Sequence, residues 1–343
     1  MQASKAPKRI CLTPQASGVG GMVSFQAKLK TGLASRGIQA TFDLADEPFD
    51  AILIVGATRQ LIALRRIGRR GVPIVQRLDG MNWLHRRRQT GTRHWLRAEI
   101  GNWLLAYIRE RMAKRIVYQS NFVRDWWEGA HGLATTDKRV IYNGVDLNLF
   151  RPEHAPNLLT NYVRILMVEG NLQGGYELGI ESAVTLAEML QAEKNRVELV
   201  VAGRVEENLR AKWARQARTE VKWVGAIPNE QLPELYGNAS LFFSGDLNAA
   251  CPNSVIEAMA CGLPVLAFDT GALKELVSAG AGRVVPYGGD PWKLDPPDIP
   301  GLAEAAKEIL SNQPSYRAGA RAQAEQIFGL DRMVNEYIEA LSG

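Results

Sequence analysis

The chain has 343 residues, of which 46% are hydrophobic and 22% charged, as expected of a globular protein long enough for two domains. No apolar stretch approaches the roughly 18 residues of a membrane-spanning helix, and no signal-peptide pattern opens the sequence. Integral membrane and secreted classes are therefore not expected, and we predict a cytoplasmic protein.

The three cysteines, Cys11, Cys251 and Cys261, lack the spacing of metal ligands and are typical of small core residues in a reducing compartment. The sequence contains no Cys/His cluster and no Asp-x-Asp pair. We therefore expect neither a bound metal nor a cofactor.

Positive and negative charges are distributed unevenly. Residues 1–152 contain 25 Lys and Arg against 11 Asp and Glu, a balance of +14, whereas the remainder balances at −9. A basic front half and an acidic rear half should contact different partners.

A predicted strand at residues 9–13 runs into a glycine-rich loop, and Met22, Phe25, Leu29 and Leu33 then mark the apolar face of a helix. The candidate ligand-facing glycines of this loop are Gly18, Gly20 and Gly21. Glycines let a ligand approach the start of a helix closely. A tight strand-to-helix turn without a ligand is the alternative.

Strand and helix patterns alternate through residues 39–78, which predicts a parallel sheet covered by helices. The strands are expected at 39–43, 51–55 and 73–78, with a helix at 59–70. Asp79 and Gly80 follow the last of these strands, at the sheet edge where ligands bind. A simple Asp-Gly turn explains the same residues.

Residues 83–115 are rich in arginine and tryptophan. The candidate basic patch comprises Arg86, Arg87, Arg88, Arg93 and Arg97, with Trp83, Trp95 and Trp103 interleaved. A solvated helix over core residues accounts for much of this pattern, but it also suits an anionic membrane surface or a lipid-phosphate acceptor. No nucleic-acid-binding motif accompanies the charge.

The segment from Arg139 to Pro152 follows a strand at 115–119 and a helix capped by Ser120. We expect a positive-φ turn at Asn143–Gly144 and a domain boundary between residues 147 and 162. The strand–helix alternation then restarts, with strands at 164–168, 196–202, 220–224 and 241–243 and a helix at 177–192. Helices at 299–327 and 331–341 are predicted to finish the chain.

The most informative segment is 253–267. Asn253 is expected to cap a helix on which Val255, Ile256 and Met259 recur at helical spacing, and a buried strand follows Pro264. The start of such a helix favours a phosphate, and Glu257 lies one turn in, where a carboxylate can bind a ribose diol. The alternative is a packed helix–strand unit whose Glu257 faces solvent.

Three segments resemble glycosyltransferase family 4 of the retaining GT-B enzymes: Glu257–Val265, the stretch from Val140 to Pro152, and Gly271–Val277. The resemblance implies an α/β fold of the GT-B type, with two Rossmann-like, doubly wound parallel-sheet domains facing a cleft. The acceptor-side domain would span 1–152 with the terminal helix 328–343, and the nucleotide-sugar domain would span 153–327.

The resemblance also implies roles for particular residues. Glu257 would bind the ribose, Ile227 would lie near the base, and Asp79 would orient a sugar hydroxyl or stabilise charge at the anomeric carbon. The diphosphate would lie against the backbone of Gly170, Gly174, Gly175, Asn253 and Ser254. The loop with Gly18, Gly20 and Gly21 would face phosphates and the acceptor. Apart from the resemblance, Arg204 follows the next strand and is a candidate substitute cation.

The sequence departs from the family pattern at several places, and Asp79 stands where a His is usual and Ala272 where a second Gly is usual. Ala249 stands where the first Glu of an acidic pair is usual, and Asn171 stands where an Arg grips the diphosphate. The usual Lys is replaced by Gln173 or Gly174. Each missing charge-assisted contact is worth about 1.5–3 kcal/mol.

The predicted activity is metal-independent, retaining transfer of a hexose from a UDP- or GDP-linked sugar to a glycan or lipid-linked acceptor in polysaccharide biosynthesis. The enzyme would be cytoplasmic and peripheral at the inner face of the membrane, without a nucleic-acid partner. Two alternatives stay open: a non-catalytic relative that binds a sugar nucleotide or glycan, and a sugar-nucleotide epimerase.

Overall fold

The computed structural model describes residues 7–18, 20–152, 162–172, 178–193 and 196–342. The chain divides into two compact units, one made of residues 1–144 and 330–343 and the other of residues 145–329. The predicted Gly174 and Gly175 and the side chain of Asn171 lie outside the described residues.

The first unit is built on a six-stranded sheet in which every neighbouring pair is parallel, in the order β2-β1-β3-β4-β5-β6. Its strands are β1 (Arg9–Thr13), β2 (Gln39–Thr41), β3 (Ala51–Val55), β4 (Ile74–Leu78), β5 (Arg115–Tyr118) and β6 (Asp137–Val140). Its helices are α1 (Gly21–Ala34), α2 (Leu61–Arg69), α3 (Thr92–Arg111), α4 (Asn121–His131) and the C-terminal α12 (Leu330–Leu341).

The last helix of the chain belongs to the core of the first unit. Residues of α12 pack in one buried cluster with α1 and strands β1 and β3. The rings of Phe25 and Tyr337 lie 5.1 Å apart, and Gly32 gives Val334 the room to approach. The first sheet is therefore covered in part by a helix that begins only at Leu330, after the whole of the second unit.

The second unit repeats the architecture with the parallel order β12-β11-β10-β7-β8-β9. Its strands are β7 (Tyr162–Asn171), β8 (Arg196–Arg204), β9 (Glu220–Gly225), β10 (Leu241–Ser244), β11 (Val265–Phe268) and β12 (Gly282–Val285). Its helices are α5 (Leu178–Ala192), α6 (Glu207–Gln216), α7 (Leu232–Gly237), α8 (Asn253–Ala260), α9 (Leu273–Leu276), α10 (Ile299–Ser311) and α11 (Gln313–Ile327).

The predicted α/β class with two Rossmann-like, doubly wound parallel sheets is confirmed. Both sheets are buried because strands such as β3 in the first sheet and β11 in the second are apolar along their whole length and accept helices on either face. All three cysteines are buried. No helix among the described residues is both long enough and apolar enough to span a bilayer.

Two predictions, of a turn at Asn143–Gly144 and of unbroken helix over 299–327, are wrong. Asn143 and Gly144 do not adopt positive φ; Asn143 is instead buried and accepts a hydrogen bond from Arg77 Nη2 at 3.0 Å. The continuous pattern at 299–327 forms two helices, because the chain breaks at Asn312 and Pro314 begins a new first turn.

The first unit ends at residue 144 rather than 152, because residues 145–152 are tied to the second unit. Val145 forms a parallel bridge with Gly329. Further along, Arg321 Nη1 donates to the carbonyl oxygen of Phe150 at 2.8 Å, and the Phe150 ring lies 6.2 Å from that of Tyr236.

Candidate functional site

The topology of the second sheet marks one edge as the place for a ligand. Strands β7 and β10 are neighbours, although β8 and β9 separate them in sequence, so the winding direction reverses between them. Ligands of doubly wound sheets bind at the carboxyl ends of the strands beside such a switch. The segments that follow β7, β8, β9 and β10 at this edge begin at residues 172, 205, 226 and 245.

Helix α8 begins at this edge with its first amides uncapped. Asn253 is the first helical residue rather than the cap, and the residue before it, Pro252, has no side chain that can accept a hydrogen bond. The first helical bond runs from the Ile256 amide to the Pro252 carbonyl. The amides of residues 253–255, including Ser254, therefore point out of the helix at the positive end of its dipole.

The side chain of Glu257 is turned into the second unit, one turn along α8. It is only 4% exposed, and Tyr236 Oη lies 3.4 Å from its Oε2. Burial, with the charge of Glu257, holds the pKa of Tyr236 well above its ordinary value, so the phenol stays a donor. Burial and the same charge raise the pKa of Cys261 to about 12. The alternative in which Glu257 faces solvent is wrong.

Two carboxyl groups that the sequence analysis did not single out meet at the switch point. Glu169 lies near the end of β7, and Asp246 lies two residues beyond β10. Burial raises the pKa of Asp246 to about 7, and burial together with the charge of Asp246 raises the pKa of Glu169 well above its usual value. The sequence does show an acidic residue just after each of two predicted strands, 164–168 and 241–243. That the two carboxyl groups lie close together follows only from the order of the strands in the sheet.

The end of β8 lies against the end of β7. A Cβ on Gly203, whose φ is +140°, would stand 1.9 Å from the carbonyl oxygen of Glu169, so only glycine fits there. The Leu172 amide donates to the Arg204 carbonyl at 2.9 Å. The side chain of Arg204 is exposed and makes no ion pair with the described residues. Arg204 thus places a positive charge at this edge, which is what a substitute for the Arg that Asn171 replaces would need to do.

The other predicted donor-side residues are distributed along the same edge. Gly170 is exposed at the end of β7, and Ile227 is half-buried two residues after β9. Ala249 is buried, at 4% exposure, and its carbonyl oxygen accepts a hydrogen bond from the Ala272 amide at 2.9 Å. The position of the usual first Glu is therefore occupied by a residue packed into the fold.

A cavity of about 350 Å³ lies beside this edge, between the start of α5 and the segment before α10. Ser244 and Thr270 are among its lining residues, and their buried hydroxyl oxygens have no hydrogen-bond partner among the described residues. Asp246 also lines it, so the cavity adjoins the carboxyl pair. Nothing in the sequence pattern indicated this cavity.

In the first unit, the glycine loop leads into α1 without a side-chain cap. Gly18 and Gly20 have φ of +88° and +135°, and both are exposed, as is Gly21, with which α1 begins. Gln26 braces the loop: its Nε2 donates to the Pro14 carbonyl at 2.7 Å, and its Oε1 accepts from Ala16 at 2.8 Å. The braced loop leaves the α1 amides open to an anion.

Asp79 directly follows β4 and is half-buried. Trp127 Nε1 donates to its carbonyl oxygen at 2.7 Å, and a Cβ on Gly80 would stand 2.7 Å from the Trp126 ring. Burial raises the pKa of the Asp79 carboxyl, an effect that the charge of Arg77 opposes. The Asp-Gly pair is therefore packed against α4 rather than placed in a free turn.

The five arginines of the predicted basic patch differ in their contacts and exposure. Arg86 is paired with Glu99 through contacts of 2.6 and 2.8 Å. Arg87, Arg93 and Arg97 are exposed and make no ion pair with the described residues, whereas Arg88 is half-buried.

Comparison with known proteins finds a glycosyltransferase match in each of the two units. Residues 165–326 match the family described as Glycosyl transferases group 1, and residues 28–149 match the one described as Glycosyltransferase Family 4. The chain belongs to glycosyltransferase family 4. Both matches fall where the sequence motifs predicted them, one on each unit.

A curated relative of this glycosyltransferase is the O-antigen chain mannosyltransferase B of Escherichia coli, 28% identical over 177 residues. That match covers 50% of this chain and 42% of the relative, so it spans less than half of the relative's length.

Two solved structures show that the GT-B fold extends over the chain. Sucrose-phosphate synthase from Thermosynechococcus elongatus is similar with a TM-score of 0.70 and 17% identity, over 96% of this chain and 97% of that one. Anabaena HepE, in complex with UDP and glucose, is similar with a TM-score of 0.67 and 19% identity, over 98% and 100%.

Proposed function

We propose that this glycosyltransferase transfers a hexose from a nucleoside-diphosphate sugar to a glycan or lipid-linked acceptor. The observation that carries the proposal is the pairing of the uncapped start of α8 with Glu257, which is buried one turn further along and in contact with Tyr236. The first backbone amides of α8 suit a diphosphate, and the Glu257 carboxylate can accept hydrogen bonds from both hydroxyls of a ribose.

In this proposal Arg204 supplies part of the charge that the family usually draws from an Arg and a Lys. Its exposed guanidinium lies at the end of β8, next in the sheet to β7. A charge-assisted contact is worth about 1.5–3 kcal/mol, so one cation together with the α8 amides offsets part of the loss. Ile227 would lie against the base, and Gly170, Gly174 and Gly175 would contact the phosphates.

The relatives guide the choice of donor and acceptor. HepE binds UDP and glucose, and the Escherichia coli relative is named as a mannosyltransferase of O-antigen chains. A UDP- or GDP-linked hexose and a polysaccharide or lipid-linked glycan are therefore the first substrates to test. The protein would act in the cytoplasm.

We infer that transfer retains the anomeric configuration and proceeds without a metal. The leaving diphosphate would be stabilised by fixed charge, here Arg204 and the α8 amides, which is usually the largest catalytic contribution of such sites. Asp79 would orient a sugar hydroxyl or stabilise charge at the anomeric carbon. Gly18, Gly20 and Gly21 would bind the acceptor or one of its phosphates on the basic first unit.

The test is a thermal-shift panel of UDP-, GDP- and ADP-sugars with the full chain. A ligand at about 100 times its Kd adds about 2.7 kcal/mol, so we expect at least one donor to raise the Tm clearly. Glu257→Gln should abolish that shift, whereas Glu234→Gln, an exposed change on α7, should preserve it. A panel without any shift, or a shift that Glu257→Gln leaves intact, contradicts the proposal.

A second candidate function is binding of a sugar nucleotide or glycan without turnover, which the buried Ala249 at the usual Glu position favours. The third, epimerisation, needs acid and base groups at the sugar, for which Asp79 is the candidate. Product analysis with and without an acceptor separates the three. Donor consumption that requires an acceptor supports transfer, an epimer supports epimerisation, and an unchanged donor that still binds supports the binding role.

A further inference from the structure

Helix α3 exposes a continuous apolar stripe. Leu96, Ile100 and Trp103 are 55%, 38% and 59% exposed, and Tyr107 stacks on Trp103 with ring centroids 5.5 Å apart. These four positions follow the i, i+4, i+7, i+11 spacing of one helix face. The opposite face, which includes Leu105, is buried in the first unit. The helix therefore has one apolar face inside the fold and another apolar face outside it.

Exposed apolar surface is concentrated on this helix. Among the described residues, seven large hydrophobic side chains are exposed, and four of them lie on α3. The fourth is Trp95, at 46% exposure, which contacts His85 edge-on in the turn before the helix. Single exposed apolar residues are ordinary, but a contiguous exposed row marks an interaction surface.

Cations without protein partners border the stripe. Arg93, Arg97 and Arg111 are exposed on α3, and none makes an ion pair or side-chain hydrogen bond with the described residues. At 3.6 residues per turn, all three fall on the same flank of the stripe. The acidic Glu99 is already held by Arg86 and His85. The flank therefore presents unneutralised positive charge next to apolar rings.

Charge decides between the occupants that an apolar stripe can accept. A second copy of this chain would bring two arginine-bearing helices together, at a cost in repulsion. A nucleic acid would satisfy the arginines but would leave the Leu96 and Ile100 side chains in water. An anionic bilayer satisfies both, because apolar side chains enter the headgroup boundary while arginines meet lipid phosphates.

We propose that α3 docks the first unit on an anionic membrane surface, with Leu96, Ile100 and Trp103 inserted and Arg93 and Arg97 on the lipid phosphates. The helix lies in the plane of the interface and does not span the bilayer. This proposal is independent of the donor site, which lies on the second unit. It places a lipid-linked substrate within reach of the unit proposed to hold the acceptor.

The test measures co-sedimentation of the full chain with vesicles of phosphatidylglycerol and phosphatidylcholine in equal parts, and with phosphatidylcholine alone. Binding should occur on the anionic vesicles and weaken as salt rises. Leu96→Ser/Trp103→Ser and Arg93→Glu/Arg97→Glu should each reduce binding by about tenfold or more.

Matched controls lie on α2. Arg65→Glu/Arg69→Glu reverses two exposed arginines with the same i, i+4 spacing and the same change in net charge, and Ile62→Ser removes a side chain that is 88% exposed. Both controls should bind vesicles within about twofold of the wild type. A cooperative thermal unfolding transition is required of every variant, as the check that it is folded.

Three outcomes overturn the proposal: no binding of the wild type to anionic vesicles, equal losses in the α2 and α3 charge variants, or binding unaffected by Leu96→Ser/Trp103→Ser. The first outcome would mean that the protein does not bind an anionic membrane. The second and third would mean that it binds only through diffuse charge attraction, without a specific contribution from α3. Self-association that Leu96→Ser abolishes, without vesicle binding, would assign the stripe to a second copy. Failure of vesicle binding leaves the donor thermal shifts unaffected, so the two proposals are tested separately.

Discussion

At the scale of single residues, the donor edge of the second unit is defined by carboxyl groups in unequal surroundings. Glu257 is buried against a tyrosine hydroxyl, whereas burial raises the pKa of both Glu169 and Asp246 and the charge of Asp246 raises that of Glu169 further. Groups with perturbed pKa at a strand edge are typical of functional sites. Without a ligand, the free energy of unfolding of the protein should therefore fall as Glu169 and Asp246 ionise.

The first prediction concerns Asp246→Asn. The pKa of Asp246 in the fold, about 7, is above its ordinary value of 3.8, so the folded state binds the proton more tightly than the unfolded state. Stability is then fully present below about pH 4 and declines as pH rises towards 7. The variant removes this decline, and its Tm should exceed that of the wild type by about 2–4 °C at pH 8 and by little at pH 4.

Calorimetry without ligand across this pH range measures the effect. Glu234→Gln on the exposed face of α7 serves as the control and should follow the wild type at every pH. A variant that is no more stable than the wild type at pH 8 would show that Asp246 is ionised there at no cost.

At the scale of elements, the contact between α1 and α12 connects the two ends of the chain. A Cβ on Gly32 would lie 2.4 Å from Val334 Cγ2, well inside contact distance. Arg36 on the turn after α1 adds a contact of 2.8 Å between its Nη2 and Asp331 Oδ1, although this ion pair is exposed and adds little. Close approach of the helices, rather than charge, sets this interface.

The second prediction is that Gly32→Ala destabilises the protein by about 1–3 kcal/mol, because the added methyl group forces Val334 or the helix to move. Denaturant unfolding measures the loss. In the double variant Gly32→Ala/Val334→Ala the loss should be smaller than the sum of the two single losses, because the clashing methyl group is gone.

Gly129→Ala is the matched control for that series. Gly129 is helical, in α4, and a Cβ there would meet nothing within 4 Å. The change should leave stability unaltered or raise it by about 0.4–1 kcal/mol. A Gly32→Ala protein as stable as the control would mean that α1 and α12 are less closely packed than the structure has them.

At the scale of the whole molecule, the chain completes its first unit last. It leaves that unit after Gly144 and returns at Leu330. The α12 side chains buried in the first core are Met333, Val334, Tyr337, Ala340 and Leu341. Each large apolar side chain contributes about 1.5–3 kcal/mol on burial, and the sum is comparable to the roughly 5–15 kcal/mol that stabilise an ordinary protein.

The third prediction is that a chain ending at residue 329 keeps the second unit folded and loses the first. Hydrogen exchange should show unprotected amides in β1 and β3–β5, with protection retained in β7, β8 and β10. Addition of a peptide of residues 328–343 should restore some protection if docking of α12 is the cause. Full protection of β1 and β3 in the shortened chain would show that α12 is dispensable.

The sequence determined the alternation of strands and helices, the two parallel sheets and the family, because apolar periodicity and short motifs are local properties. It did not determine which distant residues would meet. The approach of Glu169 to Asp246 follows from the strand order, the inward turn of Glu257 from packing against α7, and the exposed stripe of α3 from which helix face the core leaves uncovered. Each of these features depends on which separate elements pack together and which surfaces they leave uncovered. Local sequence does not carry that information, so only the tertiary structure decides it.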